Sequence, residues 1–345
     1  MKSNLLFPAS ALLAFAGQSV ATDCPLITSR WSADPSAHVF NDTLWLYPSH
    51  DWDAGLENSP DGGQYAMKDY VVYSIDKIYG SLPVDHGVVL SVDDVPWASE
   101  QMWAPDAAHK NGKYYFYFPA KDKDGIFRIG VAVSDTPGGP FTPDKSWIPN
   151  TFSMDPASFV DDDDEAYLSW GGLMGGQLER WQDKNNYNES GASPPNGTAA
   201  LSPQIAKLSD DMHTLAEKPR DIKILDPKTK KPLLVEDYDR RFFEGPFIHK
   251  YNGMYYLSYS TGTTHYMVYA TSKSVYGPYT YQGRILEPVE GWTTHGSIVK
   301  YKGQWWVFYH DAKTSGKDYL RQVKAKKIWY DSKGKIVTKK PKRAV

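Results

Sequence analysis

A short pattern that recurs five times constrains this 345-residue chain more than any other feature. Each copy is a turn followed by an aromatic-rich run, and the copies occupy residues 41–47, 111–117, 163–169, 252–258 and 302–308. Two copies begin with Asn-Gly, which between apolar runs is the strongest short-range signal for a β-hairpin. We therefore predict that each copy forms the second strand of a hairpin.

A second motif precedes each copy at a nearly constant distance. Its equivalent positions are Asp34, Ala104, Asp155, Gly245 and His295, and in four of the five units seven residues separate this position from the turn. Each unit supplies about four strands, and the segments between units lack the periodicity of an amphipathic helix. The pattern predicts an all-β fold, a five-bladed β-propeller in one domain. A β-sandwich with ordinary hairpins is the alternative, which the constant spacing disfavours.

Two stretches interrupt this regularity, residues 51–69 and 177–241. The second is rich in Asn, Ser, Pro and Gly around residues 184–203. We predict that both are loops on one face of the propeller, where loops commonly build binding sites.

Composition narrows the classes of partner. Aromatic residues make up 14% of the chain, which is typical of proteins that stack against sugars, although aromatic residues also favour strands. A net charge of −3 argues against a nucleic-acid partner. The sequence contains no Gly-x-Ser-x-Gly, His-Glu-x-x-His or phosphate-binding loop, which disfavours esterase, metalloprotease and nucleotide chemistry.

The N-terminal residues predict that the protein is exported. Residues 1–21 carry Lys2, an apolar stretch and small residues at positions 19 and 21, the pattern of a signal peptide whose apolar part is too short to span a membrane. We expect a secreted, extracellular monomer with the propeller at residues 22–335 and a basic tail at 336–345.

The single Cys24 cannot form an internal disulfide. Export makes three sequons potential glycan sites, which begin at Asn41, Asn188 and Asn196.

Carboxylates at the repeated position indicate the chemistry. Equivalent positions on the first strands of a propeller face one another, so Asp34, Asp155 and Glu244, which precedes Gly245, are predicted to meet at one mouth. Hydrolysis of an acetal needs one protonated carboxyl group and one ionised carboxylate. Glu244 lies among apolar neighbours and is our candidate general acid. Asp34 is the candidate general base, and Asp155 is the candidate modulator of the acid's pKa.

Five stretches resemble the motifs of glycoside hydrolase family 43, at residues 32–35, 102–106, 154–156, 243–246 and 294–297. The resemblance spans nearly the whole mature chain, and it implies a five-bladed propeller and an inverting mechanism. It assigns the same roles as above to the three carboxylates. It also implies that Trp103 and Ala104 face the sugar, and that Arg321, near the modulator, binds a sugar hydroxyl and holds a carboxylate ionised. His295 is implied to ligate a calcium ion or a water cluster on the axis. No cofactor is implied for the chemistry itself.

The expected substrates follow from this resemblance. They are xylo-oligosaccharides, arabinoxylan or arabino-oligosaccharides, from which a β-xylosidase and α-L-arabinofuranosidase would release single sugars. The chain is too short for the extra β-sandwich of some family xylosidases, so we expect the two inserts to replace its contacts. His50 and Thr263, near strand ends, are further candidates for substrate contact. An endo-arabinanase, an endo-xylanase and a non-catalytic sugar-binding propeller stay open as alternatives.

Overall fold

The computed structural model describes residues 24–292 and 294–341, which form five sheets arranged as the blades of a propeller, antiparallel except for one short parallel pair in the fourth. Blade 1 contains β1 to β4, at Ser32–Phe40, Thr43–His50, Asp69–Ile75 and Val84–Ser91. Blade 2 contains β5 to β9, at Ala98–Glu100, Asp106–Lys110, Lys113–Asp122, Phe127–Ser134 and Thr142–Pro143. Blade 3 contains β10 to β13, at Ala157–Val160, Ala166–Trp170, Gln204–Lys207 and Arg220–Asp221.

The last two blades complete the ring. Blade 4 contains β14 to β18, at Ile224–Leu225, Glu244–Tyr251, Met254–Ser260, Met267–Ser272 and Tyr279–Leu286. Blade 5 contains β19 to β22, at Ser297–Tyr301, Gln304–Asp311, Gln322–Tyr330 and Ile336–Val337. Three short 3₁₀ turns are the only helical elements in the part of the chain that the structure describes, at Val92–Asp94, Met174–Gly176 and Leu178–Trp181. The all-β, five-bladed architecture predicted from the repeat is therefore confirmed.

The repeated turns are tight hairpins in four of the five blades. In blade 2, Asn111 and Gly112 connect Lys110 to its partner Lys113, and both turn residues have positive φ, as a two-residue type I′ turn requires. Blade 3 differs because five residues, 161–165, separate the paired residues Val160 and Ala166. This longer loop explains why the third unit departs from the common spacing.

Apolar side chains hold the blades together in five clusters, one between each pair of neighbouring blades. Between blades 1 and 2, for example, the buried rings of Tyr47 and Phe116 lie 5.9 Å apart. Each fully buried side chain of this size contributes about 1.5–3 kcal/mol relative to exposure. Repeated aromatic strands therefore supply the blade-to-blade packing as well as the hairpins.

The ring closes between blade 5 and the segment that precedes blade 1. The backbone N–H of Leu26 donates to the carbonyl of Val323 at 2.7 Å, and that of Ser32 donates to the carbonyl of Arg321 at 2.8 Å. The last strand consists of Ile336 and Val337, the two residues after the predicted end of the propeller at residue 335. The predicted signal peptide and residues 342–345 of the tail lie outside the described residues. Among the described residues, none belongs to a helix long and apolar enough to cross a membrane.

Candidate active site

One cavity of about 630 Å³ opens at the end of the propeller where the first strands begin. The three predicted catalytic carboxylates, Asp34, Asp155 and Glu244, all line it, although they come from three different blades. Both predicted inserts contribute walls: residues 58–67 on one side, and residues 179 and 180 with the preceding turn on another. The structure therefore brings the sequence-predicted trio to one mouth and surrounds it with loops.

A recurrent backbone distortion aims these carboxylates into the cavity. Asp34, Asp155 and Gly245 occupy equivalent positions, and all three have positive φ, at 47°, 55° and 64°. In blades 1 and 4 the strand register also shifts at this point, as at a β-bulge, a feature that commonly redirects side chains beside active sites. A Cβ on Gly245 would lie 2.9 Å from the His295 ring, so blade 4 needs glycine here. Its carboxylate therefore comes from the preceding residue, Glu244.

Asp34 is held as an anion. Its Oδ1 accepts a hydrogen bond from Nη1 of Arg321 at 3.0 Å, and its Oδ2 accepts one from the Ser49 hydroxyl at 2.7 Å. The ring of His310 lies 3.2 Å from the same Oδ1 and accepts the backbone N–H of Asp34 through Nδ1 at 2.9 Å. Burial raises the pKa of Asp34, but the Arg321 charge and the other polar neighbours outweigh it and hold the pKa well below its ordinary 3.8. An ionised Asp34 suits the role of base.

Asp155 and Glu244 form a pair that retains a proton. Their carboxylate oxygens, together with a ring nitrogen of His295, lie within 4.8 Å of one another. Burial, the Glu244 charge and the Asp34 charge raise the pKa of Asp155 well above its ordinary value. The two carboxyl groups therefore titrate together and hold a proton to a higher pH than an isolated carboxyl group does.

His295 lies between the two acidic groups. Its Nδ1 is 3.7 Å from Asp34 Oδ1 and 3.7 Å from Asp155 Oδ2. Burial lowers the pKa of His295 in spite of these carboxylates, which leaves the imidazole neutral near pH 7. A neutral ring presents a free nitrogen lone pair, so the predicted axial position of His295 is compatible with a metal or water ligand.

Asp51 holds the Arg321 side chain in place, although the sequence analysis gave Asp51 no role. Both Asp51 oxygens accept side-chain hydrogen bonds from Arg321, from Nε at 2.9 Å and from Nη2 at 2.8 Å, and Oδ2 also accepts the Arg321 backbone N–H at 2.8 Å. The guanidinium thus bridges Asp51 and Asp34, and its face lies 5.0 Å from the Tyr65 ring centroid. The only signal in the sequence was a short acidic segment directly after a strand.

Asp106 was also missed as a group on the axis. It is almost fully buried and accepts hydrogen bonds from donors on blades 1 and 3, including the Ser158 hydroxyl at 2.6 Å. The His38 ring, 2.6 Å from its Oδ1, belongs to the same network. Burial raises the pKa of Asp106, but these donors outweigh it and the pKa is lowered. The sequence placed Asp106 only inside a family motif, without a partner.

Trp103 and Ala104 line the cavity as predicted from the resemblance. The indole Nε1 of Trp103 donates to the Tyr65 carbonyl at 2.8 Å, and its ring packs 4.7 Å from Phe127. A Cβ on Gly62 would lie 2.7 Å from this indole, so the loop approaches it closely. Trp103 is therefore a rigid wall rather than a mobile side chain.

His50 and Thr263, the other predicted substrate contacts, are not among the residues that line the cavity. The His50 ring is turned toward Asp69, with which it shares a hydrogen bond, and it packs 5.2 Å from Trp52. Thr263 is exposed at the tip of the turn after β16. Both lie near strand ends, but strand ends alone do not say which way a side chain points.

Comparison with known proteins identifies the family. The sequence profile of Glycosyl hydrolases family 43 matches residues 84–336. A "Xylosidase/arabinosidase 43A" of Humicola insolens is 59% identical over 324 residues, which cover 92% of this chain and 99% of that protein. The chain belongs to glycoside hydrolase family 43. Family 43 enzymes hydrolyse glycosidic bonds with inversion and need no cofactor for the chemistry, so the enzyme class predicted from the carboxylates is confirmed.

Solved family 43 structures have the same fold as this chain. CoXyl43, described as a β-xylosidase/α-arabinofuranosidase from a compost microbial metagenome and solved with xylotriose in a calcium-free form, superposes with a TM-score of 0.88 at 51% identity, covering 91% of this chain and 96% of CoXyl43. A GH43_1 enzyme from Xanthomonas citri, complexed with xylotriose, superposes with a TM-score of 0.86 at 49% identity, covering 91% and 92% of the two chains. The family 43 propeller therefore accounts for nearly the whole described chain.

Proposed function

We propose that this family 43 enzyme is an exo-acting β-xylosidase and α-L-arabinofuranosidase that trims single sugars from xylo-oligosaccharides and arabinoxylan fragments. The observation that carries the proposal is a cavity, walled by both inserts, with an ionised Asp34 and the proton-sharing Asp155–Glu244 pair in its lining. The names of the relatives described above support the choice of sugars. The two sugars present similar hydroxyl groups to one site, which supports dual activity.

Asp34 is the general base of the proposed reaction. An inverting glycosidase uses an ionised carboxylate to remove a proton from the water that attacks the anomeric carbon. Arg321 and Ser49 hold the Asp34 carboxylate ionised and fixed in orientation. The attacking oxygen bonds to the anomeric carbon as the bond to the leaving oxygen breaks.

Glu244 is the general acid, and Asp155 keeps it protonated. The backbone N–H of Gly245 donates to Asp155 Oδ2 at 3.0 Å, which favours the charge on Asp155. This hydrogen bond does not outweigh burial and the neighbouring carboxylates, so the pKa of Asp155 stays raised, and the two carboxyl groups share the proton that Glu244 transfers to the leaving oxygen. Asp155 acts through Glu244 and needs no contact with the breaking bond.

Exo action follows from the walls of the cavity. Residues 58–67 close one side, and the turn at Met174–Gly176 with Glu179 and Arg180 closes another, where an endo-enzyme needs a groove open at both ends. Arg180 lies 3.5 Å from Asp61, so the two inserts are joined across the rim. A chain end fits this shape better than the middle of a polymer.

The test compares substrates with good and poor leaving groups. We expect the wild type to release xylose stepwise from xylotriose and to hydrolyse nitrophenyl xyloside and arabinofuranoside, with the inverted anomer seen first by NMR. Glu244→Gln is expected to lose far more activity on xylotriose than on the nitrophenyl xyloside, because nitrophenolate leaves without a proton. Asp34→Asn is expected to lose both activities, and Glu287→Gln, an exposed glutamate away from the cavity, to lose neither.

Three outcomes would contradict this proposal. Equal losses of Glu244→Gln on both substrates would remove Glu244 as the acid. Rapid internal cleavage of arabinan or xylan, with oligosaccharides as first products, would replace the exo assignment with endo-arabinanase or endo-xylanase activity. Full activity of the Asp34, Asp155 and Glu244 variants would leave only a sugar-binding role.

We also propose a structural calcium ion next to His295. Within the group formed by Asp155, Glu244 and His295, the two carboxyl groups hold the proton for the hydrolysis, so His295 would be the protein ligand. Calcium takes six to eight ligands, mostly oxygen, so water would supply most of the shell. Such an ion adds positive charge on the propeller axis, and no step of the hydrolysis depends on it. We expect calcium to raise the melting temperature of the chelated wild type but not of His295→Ala, with His109→Ala as the control. The same calcium response in all three proteins would exclude this site.

Secretion and glycosylation are proposed from the sequence. The sequons at Asn41, Asn188 and Asn196 are all exposed, so a glycan fits at each. Expression of the full chain in a secreting host, followed by N-terminal sequencing and glycosidase treatment, is expected to show a mature terminus at Thr22 and a glycan-dependent mass. Retention inside the cell with an intact N-terminus would contradict the export proposal.

A further inference from the structure

Trp292 is an exposed aromatic side chain at the active-site cavity. It lies in the loop between β18 and β19, is 38% exposed, and belongs to the cavity lining. Most of the large apolar side chains of the described chain are buried between blades, and leaving an indole in water forgoes that burial. An exposed indole beside a polar cavity offers a flat apolar face of the kind on which sugar rings stack.

Two neighbours hold the Trp292 ring in place. It packs edge to face on Phe243 with centroids 6.3 Å apart, and against the His265 ring at 4.9 Å with an interplanar angle of 70°. The His265 Nδ1 lies 3.3 Å from the carbonyl oxygen of Gly291, the residue before Trp292. Burial lowers the pKa of His265, so its ring is neutral near pH 7 and donates one N–H to this carbonyl. The indole is therefore oriented before any ligand arrives.

The position of Trp292 relative to the general acid decides which part of the substrate Trp292 contacts. Phe243, on which it packs, directly precedes Glu244 in the chain and lines the same cavity. A general acid donates to the oxygen of the leaving group, so the leaving part of the substrate lies beside the acid. By contrast, Trp103 is buried and locked to Tyr65 through its indole N–H. Trp103 therefore walls the interior of the cavity, whereas Trp292 is available at the acid's side of the rim.

We propose that Trp292 is the stacking platform for the leaving sugar, and that it sets the preference of this enzyme for oligosaccharides over glycosides without a sugar leaving group. The inference rests on the proposed function, because it places the leaving group by the role of Glu244. Trp292 touches the substrate but takes no part in proton transfer. His265 acts on the substrate only through Trp292, as a positioning residue.

Met174 is the other strongly exposed apolar side chain of the cavity lining, at 52%. Met174 lies in the turn directly before the second insert, and its side chain is flexible and unbranched, with no flat face. A sugar ring gains orientation from a held indole but not from a mobile thioether. The geometry therefore favours Trp292 as the specificity-determining residue.

The experiment compares xylotriose with methyl β-xyloside, whose leaving group needs the proton of the acid but has no ring to stack on the platform. For Trp292→Ala we expect kcat/KM on xylotriose to fall about tenfold, the range of one lost aromatic contact, and kcat/KM on methyl β-xyloside to stay within about twofold of wild type. Trp292→Phe keeps a flat ring and is expected to recover most of the loss. Trp52→Ala is the matched control, because Trp52 is 41% exposed and does not line the cavity.

Each other outcome has a defined meaning. Equal falls on xylotriose and methyl β-xyloside would show that Trp292 only supports Phe243 and Glu244, and would overturn the proposal. Unchanged kcat/KM on xylotriose would overturn it as well. A wild type inactive on both substrates would instead overturn the proposed function. If Trp292→Ala fails to fold, the comparison of Trp292→Phe with His265→Ala carries the test, because both preserve Glu244 and alter only the platform.

Discussion

Replacing Arg321 with methionine removes the cation that holds Asp34 ionised while keeping a long, unbranched side chain. Nη1 of Arg321 lies 3.0 Å from Asp34 Oδ1, and both side chains are more than nine-tenths buried. Unit charges about 4 Å apart interact by about 4 kcal/mol at an effective dielectric constant of about 20. Since one pKa unit corresponds to about 1.4 kcal/mol, the pKa of Asp34 is expected to rise by about two to three. This rise cancels most of the lowering that the pKa of Asp34 shows in the wild type.

The assay is the pH dependence of kcat/KM on nitrophenyl xyloside. The acidic limb reports ionisation of the base in the free enzyme, so in Arg321→Met it is expected to move upward by about two to three pH units. Arg321→Lys keeps the charge but loses the double contact with Asp51, so its limb is expected to move less. An unmoved limb in Arg321→Met, with any loss of rate, would refute the assignment of Arg321 as the group that ionises Asp34.

The same variant has a signature in stability. In the wild type the pKa of Asp34 lies below its ordinary 3.8, so its ionisation adds stability above about pH 4, which is lost as the pH falls. In Arg321→Met the rise brings the folded pKa close to the ordinary 3.8, so most of this contribution disappears and stability falls less steeply toward low pH. Loss of one partner from a buried pair costs about 3–5 kcal/mol at neutral pH. Urea unfolding of both proteins at pH 3 and pH 7 measures the difference.

Three further substitutions test the fold around the site. Gly245→Ala adds a Cβ 2.9 Å from the His295 ring at a φ of 64°, so it is expected to lower the melting temperature more than Gly253→Ala, which has a φ of 73° but open space; equal effects would mean that strain alone matters. Phe116→Ala empties a fully buried position between blades 1 and 2 and is expected to cost about 3–5 kcal/mol in urea unfolding, whereas a cost below about 1 kcal/mol would mean that this interface is loosely packed. Asp106→Asn is expected to cost about 1–3 kcal/mol at pH 7, and because the folded pKa of Asp106 is lowered the difference from wild type should shrink toward pH 3; a difference independent of pH would show that the charge does not matter.

The fold could be predicted from the sequence because its signals are local. Asn111-Gly112 is sufficient to specify a tight hairpin, and the aromatic runs mark strands whatever their neighbours are. The spacing from the repeated position to the turn fixes the length of each first strand. The one irregular spacing, at Asp155, corresponds to the longer loop of blade 3. Repetition adds the blade count, since one hairpin alone does not distinguish a propeller from a sandwich.

The site could be predicted only where its residues share an equivalent position. Asp34 and Asp155 stood out because they occupy the repeated position, and Glu244 because it directly precedes that position in its unit. His50 and Thr263 do not line the cavity, because proximity to a strand end leaves the direction of the side chain open. Trp292 lies in a loop outside every repeat, and no local pattern marks it.

By itself, then, the sequence determined the strands, their turns and the number of blades, since these depend on residues close together in the chain. It also determined that acidic groups recur at the start of the first strands. Tertiary structure alone decided that Asp51 and Arg321, which are 270 residues apart, form hydrogen bonds beside Asp34. It also decided that backbone with positive φ directs the carboxylates into the cavity. These contacts arise only when the last blade closes on the first, and a ring closure has no signature in the spacing of neighbouring residues.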